Sequence, residues 1–183
     1  MLRIQPYRDD IHRENLQTTL AELGTFEIQD FTEFQKSNVS YICTARTGVI
    51  QGFILVKETH QETAPYEIVH IGMMPRYRRQ GYASRMIEMV KDKKQGVCTK
   101  VLHSNKDVVS LYQKLGFDVF SSGEYITYTW GIYYTCYNCK VYLKPSETIW
   151  ETLPSGLGID MYGLHPTMSL QSVCKKCRTK VES

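Results

Sequence analysis

The chain has 183 residues, of which 42% are hydrophobic and 22% charged. That balance supports one sizeable core, or a domain with a small appendage, and excludes a disordered or fibrous chain. The net charge of +3, from 22 basic and 19 acidic residues, does not announce a nucleic-acid binder, and no apolar run approaches the ~18 residues of a membrane span.

Met1 to Asp10 carries Arg3, Arg8, Asp9 and Asp10 without the apolar segment of a secretory signal, so the expected location is intracellular, in cytoplasm or nucleus. Leu2–Pro6 reads as a first strand. Leu16, Leu20 and Leu23 then fall on one helical face, and Gly24 supplies a stop. Val39–Ala45 and Val49–Lys57 read as a hairpin around Thr47-Gly48, the second strand being apolar enough for burial on both faces. Tyr66–Met74 is the next strand, ended by Pro75. A helix follows, with the stripe Ala83, Met86, Ile87 and Val90, a solvated basic turn at Lys91–Lys94, and Gly96 beyond.

Val97–His103 is predicted as a strand. Ser104 or Asn105 caps a further helix, with the stripe Val108, Leu111, Tyr112 and Leu115 and the terminator Gly116. Phe117–Phe120 begins another strand, and Ile126, Tyr128, Trp130, Ile132 and Tyr134 alternate through the last one. A change in composition sets the expected boundary between a domain at 1–134 and a segment at 135–183. In the latter Pro145, Pro154, Gly156, Gly158, Gly163 and Pro166 punctuate few periodic stretches. There is no internal repeat.

The strand–helix–strand unit at 66–103 predicts two parallel strands joined by a crossover. In the loop entering its helix, Gly81 permits a tight turn and Ala83 is small. Amides from about Arg79 to Ser84 then face outward at a helix N-terminus, a setting for a diphosphate, with Arg76, Arg78 and Arg79 adding charge. A Gly-containing turn of this kind is also an ordinary structural device.

Pro75-x-x-Arg78-x-x-Gly81-x-Ala83, followed by Asn105-x-x-Val108-x-x-Leu111-Tyr112-x-x-Leu115-Gly116-Phe117, resembles the two signature blocks of the GNAT superfamily of acetyl-CoA-dependent N-acetyltransferases. The resemblance spans Val49 to about Phe120 and covers 1–48 by element order only. Ala83 stands where a glycine is frequent, and Val108 where a smaller alanine is common. The resemblance implies an α/β fold: a mixed, mostly antiparallel central sheet, splayed between its fourth and fifth strands and flanked by helices. It also implies acetyl-CoA as cosubstrate, its pantetheine arm along Ile71–Met73 and its diphosphate on Arg78, Arg79, Gln80, Gly81, Tyr82, Ala83 and Ser84, with Asn105 nearby.

Acyl transfer needs a neutral amine, and a lysine amine with pKa about 10.4 is mostly protonated at neutral pH, so a general base is required. Glu67-Ile68-Val69, with fourteen residues on to Ala83, resembles the histone-acetyltransferase branch of the family, which implies Glu67 as base. His70 is a rival, with a pKa near neutrality. On an unbulged strand the two point to opposite faces. A solvated strand-start carboxylate and a satisfied core histidine are the alternatives for these residues. A backbone N–H near Ile71 is the candidate oxyanion donor. The resemblance implies Tyr112 as general acid to the leaving thiolate, although Leu111, Tyr112 and Leu115 are core residues in any amphipathic helix.

Cys43 and Cys98 are isolated, whereas Cys136/Cys139 and Cys174/Cys177 form two knuckles of one spacing, separated by 34 residues that include His165. In a reducing compartment this predicts a structural zinc site of four cysteines, with Zn–S near 2.3 Å and no open coordination position; disulfides, an iron–sulfur centre and free thiols are the alternatives. The metal would stabilise a small C-terminal subdomain. That segment could line the acceptor side, mediate homodimerisation or recruit a partner. Its basic patch of Lys175, Lys176, Arg178 and Lys180 reads as solvated surface. Tyr125, Tyr128, Tyr133, Tyr134, Tyr137 and Tyr142 suggest packing at the junction.

The expected activity is acetyl transfer to a primary amine, a protein lysine or N-terminus among the candidates. A small amine or polyamine, and a non-catalytic acyl-CoA-binding or zinc-ribbon interaction module, are the other readings.

Overall fold

A computed structural model describes residues 2–24, 31, 34, 38–59, 64–92, 96–121, 123–132, 134–135, 138, 140, 142–144, 147–160 and 163–178. They form two compact units, Met1–Ile132 and Tyr133–Ser183. The first contains β1 (Arg3–Pro6), α1 (Asp9–Glu22), β2 (Tyr41–Thr44), β3 (Ile50–Glu58), β4 (Tyr66–Met73), a single 3-10 turn at Pro75–Tyr77, α2 (Tyr82–Lys91), β5 (Val97–Leu102), α3 (Lys106–Lys114), β6 (Asp118–Ser121) and β7 (Tyr125–Trp130). The strands form one sheet in the order β1-β2-β3-β4-β5-β7-β6. β4 and β5 run parallel, and the other neighbours are antiparallel.

Three layers result. α1 buries Leu16 and Leu20 with Tyr7, Phe31, Phe34, Ile42, Ile50, Phe53 and Leu55 on one side of the sheet. α2 and α3 bury Met86, Ile87, Val90 and Tyr112 with Ile54, Val56, Ile68, Val97, Val101 and Tyr128 on the other. β3 alternates between these two clusters and is buried from Ile50 to Val56, as expected of a central strand covered on both faces. In the turn that joins β2 to β3, Gly48 takes φ 82, a conformation glycine adopts without steric cost. Among the described residues no helix is long and apolar enough to cross a membrane.

Two expectations about this unit change. The alternation predicted through Tyr134 stops at Trp130, because Gly131 at φ 68 turns the backbone out of the strand. Lys91 is not solvated: its side chain is 12% exposed. Its ammonium donates to the Leu115 carbonyl at 2.8 Å and to Glu88 at 2.9 Å, and lies 5.2 Å from the Trp130 ring centre. The cation thereby satisfies an orphan carbonyl at the end of α3. Lys93 and Lys94 lie outside the described residues.

Gly72 on β4 has Phe53 Cζ 2.8 Å and Leu23 Cδ1 3.3 Å from the position a Cβ would take. Phe53 is 1% exposed and has nowhere to move. Gly72→Ala is therefore expected to destabilise the fold by about 1–3 kcal/mol, the range for overpacking. Urea unfolding checks this, and a midpoint equal to wild type contradicts it.

In the second unit, β8 (Tyr134–Thr135) pairs with β9 (Tyr142–Leu143), and β10 (Ile149–Asp160) with β11 (Gly163–Val173), before α4 (Lys175–Arg178). The long β10–β11 hairpin replaces the expected run of irregular chain. Its prolines are compatible with a two-stranded ladder, in which each strand keeps an outer edge needing no donor. The register also shifts between Pro154 and Gly156. Leu143 and Val173 form a small apolar cluster against Cys174 and Cys177. Cys136, Cys139, Tyr133, Tyr137 and Lys180 lie outside the described residues.

Candidate active site

β4 and β5 are paired at Tyr66–Val97, Glu67–Cys98 and Ile68–Thr99, and the register ends there. β4 continues to Met73 along β3, and β5 continues to Leu102 along β7. The two strands thus part after the Ile68–Thr99 rung. β4 also carries a register shift against β3 between Ile68 and His70, so Leu55 faces His70 while Val56 faces Ile68. This bulge inserts one residue into β4 and re-aims the side chains beyond it.

Past the end of β4, Arg79 takes φ 59 and Gly81 takes φ 81, and Gly81 is the N-cap of α2. No side chain caps this helix. The amides of Tyr82, Ala83 and Ser84 therefore stay without an intrahelical acceptor, with the positive end of the helix behind them. α3 differs: its N-cap Asn105 accepts from the Val108 amide at 3.4 Å.

A cavity of about 530 Å3 lies between the free end of β4 and the starts of α2 and α3. Of the residues expected to hold a cofactor, Ile71, Met73, Arg78, Arg79, Gly81, Tyr82, Ala83, Ser84 and Asn105 line it, and Gln80 does not. The Gln80 amide turns back to the Arg76 carbonyl at 2.9 Å. The three arginines also divide. Arg76 is held by Gln51 Oε1 at 2.8 Å, and Arg78 donates through Nε to the Met73 carbonyl at 3.0 Å. Arg79 pairs with Asp107 at 2.7 Å, both side chains being exposed. Arg76 is thus a brace for the loop, and of the three arginines Arg78 and Arg79 stand on the cavity wall.

Sequence reasoning missed Asp107, Ser110 and Lys114 on the same wall. They follow helical spacing beside the apolar stripe of α3, a face that periodicity alone assigns to solvent.

Glu67, His70 and Tyr112 do not line this cavity. Glu67 forms an ion pair with Lys57 at 3.3 Å, and Lys57 and Val69 belong to the face that carries α1. His70 packs edge-on to Phe34, ring centres 6.4 Å apart, and so lies on that face as well. The expectation that Glu67 and His70 point to opposite sides fails because of the bulge between them. Burial lowers the His70 pKa below the usual histidine value, favouring neutral imidazole. Cys98, beside Glu67 on the next strand, has its thiol pushed up to about 11 by burial and then by the Glu67 carboxylate.

Tyr112 is 1% exposed. Its ring stacks on Tyr128 at 5.8 Å and meets the edge of Phe117 at 5.0 Å. Burial raises its hydroxyl pKa far above the ordinary tyrosine value, with nearby Thr99 acting in the opposite direction. It is thus a core residue whose polar tip reaches the rung where β4 and β5 separate.

In the second unit, the Cys177 and Arg178 amides donate to the Cys174 carbonyl at 3.0 and 3.1 Å, closing the turn between Cys174 and Cys177. Among the described residues no group of three or more His, Cys, Asp or Glu side chains is gathered as a metal site; two of the four expected ligands, Cys136 and Cys139, are outside that set.

A family model described as the Acetyltransferase (GNAT) family matches residues 5–117. No curated protein matches the sequence. Similar solved structures include Arabidopsis thaliana Naa50 in complex with the bisubstrate analogue CoA-Ac-MVNAL, at 17% identity and TM-score 0.60, covering 70% of this chain and 97% of that one. The ribosomal-protein-S18-alanine N-acetyltransferase from Escherichia coli is 16% identical, with TM-score 0.53, over 70% of this chain and 91% of its own. Arabidopsis thaliana NAA60 in complex with acetyl-CoA is 17% identical, with TM-score 0.52, over 70% and 97%. At these identities the structures speak for the fold, and the family rests on the sequence match across more than half the chain: it belongs to the GNAT acetyltransferase family and is an N-acetyltransferase.

Proposed function

We propose that the first unit transfers acetyl from acetyl-CoA to the primary amine of a protein, an N-terminus or a lysine, by direct attack on the thioester. The observation that carries this reading is the parting of β4 and β5 after Ile68–Thr99, with the uncapped α2 amides and cavity on one face and Glu67 and His70 on the other. The diphosphate rests on the Tyr82–Ser84 amides with Arg78 and Arg79 beside it, and the pantetheine arm follows Ile71–Met73. The amine enters from the α1 face. The structural relative named for acetylating a ribosomal protein, and the bisubstrate ligand bound to another, favour a protein acceptor.

Glu67 takes the ammonium proton; the freed amine attacks the carbonyl carbon, and the C–S bond breaks with its electron pair on sulfur. The Tyr112 hydroxyl supplies the proton that makes the thiol; nitrogen sheds its second proton as the amide forms, and of the two amine protons one returns to the phenolate through water and the other leaves the base to solvent. His70 is the second reading for the base, favoured by its place on the same face and by burial that keeps it neutral. A thiol titrating near 11 leaves Cys98 without thiolate at neutral pH, which supports direct attack over an acyl-cysteine relay.

Incubation with isotope-labelled acetyl-CoA and a panel of peptides, free amines and polyamines, followed by mass spectrometry, tests the reading. Label on peptide amines is the expected result; label on polyamines alone overturns the protein acceptor.

For the second unit we propose a structural zinc ion held by Cys136, Cys139, Cys174 and Cys177, four thiolates being a complete tetrahedral set. Cys174 and Cys177 sit half-buried against Leu143 and Val173 on one short turn, a setting that suits a knuckle. Protein purified without chelator is expected to contain about one zinc ion per chain, read by elemental analysis. A metal-free protein whose β10–β11 hairpin persists contradicts this.

A further inference from the structure

β3 is buried from Ile50 to Val56, and Lys57 is the first of its residues to emerge. By strand alternation its side chain follows Phe53 and Leu55, both packed in the α1 cluster, onto the face assigned to the acceptor. There it stands opposite Glu67 in the register of β3 on β4, with Nζ 3.3 Å from Glu67 Oε2. Glu67 lies one residue before Ile68–Thr99, the last rung before β4 and β5 part, so the pair stands beside the opening. The two side chains are 38% and 23% exposed. A pair so open to solvent stabilises a fold little, and its placement is of more interest than its strength. A general base must lie within hydrogen-bond reach of the proton it takes, directly or through one water. An acceptor ammonium therefore has to stand beside Glu67, where the Lys57 ammonium stands already.

We propose that Lys57 is a modification site of this enzyme: with no external amine present, its side chain accepts the acetyl group of the acetyl-CoA bound to the same chain. The inference rests on the reading of Glu67 as general base. Glu67 takes one proton from the Lys57 ammonium, and the neutral Nζ attacks the thioester carbonyl carbon. The N–C bond forms and the C–S bond breaks with its electron pair on sulfur. Sulfur is protonated as for any other acceptor, and Nζ sheds its second proton as the amide forms. The products are acetyl-Lys57, free CoA thiol and one proton released to solvent. The lysine stem is flexible and partly in water, which lets Nζ leave the carboxylate for the carbonyl carbon. Acetylation removes the charge and the ion-pair donor, so the transfer occurs once per chain and leaves Glu67 free of Lys57.

The test incubates the intact chain with deuterium-labelled acetyl-CoA and no acceptor, and locates acetyl groups by mass spectrometry of proteolytic fragments. Acetyl acquired during expression is read in the same spectra as the unlabelled form. A parallel incubation adds a mixture of free-N-terminus and lysine peptides. Acetyl on Lys57 is expected, with a first-order rate constant unchanged on dilution of the protein, as transfer within one chain requires. Glu67→Gln should slow it about 100-fold. Lys57→Arg, which keeps a cation beside Glu67, should lose the label at that position. A Lys57 free of acetyl while the peptides are acetylated overturns the inference and leaves the proposed activity in place. Label on Lys57 that appears as fast in Glu67→Gln as in wild type is acetylation without the base, and overturns it too. A rate constant that rises in proportion to protein concentration is transfer between chains and overturns the intramolecular step. Label on neither Lys57 nor any peptide or small amine overturns the acetyl-transfer reading itself and Lys57 with it.

Discussion

Tyr112→Phe is expected to lower the maximal rate of acetyl transfer by about 100-fold or more, the scale of a lost general acid, with KM for acetyl-CoA nearly unchanged. The aromatic ring does the packing: it is 1% exposed, stacks on Tyr128 and abuts Phe117, and phenylalanine keeps all of that. Removing the hydroxyl alone costs about 1 kcal/mol of stability or less, against about 3–5 kcal/mol for emptying an aromatic core site with alanine. Because burial raises the phenol pKa far above its ordinary value, the group keeps its proton at neutral pH, as the proposed donor role requires. Steady-state kinetics paired with a melting curve separate the two effects. A variant that melts like wild type and turns over like wild type contradicts the role.

The second large effect is expected at Glu67. Glu67→Gln keeps shape and hydrogen bonding but removes the proton acceptor and the partner of Lys57. A loss of about 100-fold at neutral pH is expected. The loss should shrink as pH rises toward the acceptor's own pKa, about 10.4 for a lysine, because the amine then deprotonates unaided. His70→Gln is the companion measurement. Burial lowers the His70 pKa, so its neutral form is the major one above the usual histidine value and is lost only as pH falls below it. If His70 were the base, the rate would be flat above pH ~6.5 and fall on the acid side of that value, and His70→Gln would abolish that limb. A rate indifferent to Glu67→Gln and lost in His70→Gln assigns the base to His70. The Lys57–Glu67 pair is partly exposed, and its loss moves stability little.

The same His70 shift has a consequence for folding. Unfolded chains bind a proton at His70 near the ordinary value, and the folded protein only at lower pH. Stability therefore declines as pH falls through the unfolded value toward the folded one.

Local chemistry made much of this site readable from residues alone. A small residue at 83 and a glycine able to take φ 81 at the start of α2 mark a helix that begins without a side-chain cap. Asn105, by contrast, caps α3 as its residue type suggests. Both cores follow from the spacing of Leu16 and Leu20 and of Met86, Ile87 and Val90. What spacing does not carry is the pairing of one strand against another. The bulge that puts Glu67 and His70 on one face comes from the register of β4 on β3, and no single-strand periodicity contains it. The tight fit of Gly72 against Phe53 and the bond from Lys91 to Leu115 are likewise contacts between distant segments. In β10 and β11 the prolines and glycines obscured a real ladder, because a two-stranded hairpin tolerates residues that an interior strand does not.

Calorimetric titration of the intact chain with acetyl-CoA tests most directly whether the free amides of α2 grip the coenzyme. One saturable site is expected, weakened in Gly81→Val, whose side chain is strained at φ 81. The melting temperature should rise in parallel, by the equivalent of about 2.7 kcal/mol at 100 times Kd. No heat and no shift in melting temperature at millimolar acetyl-CoA would contradict the account.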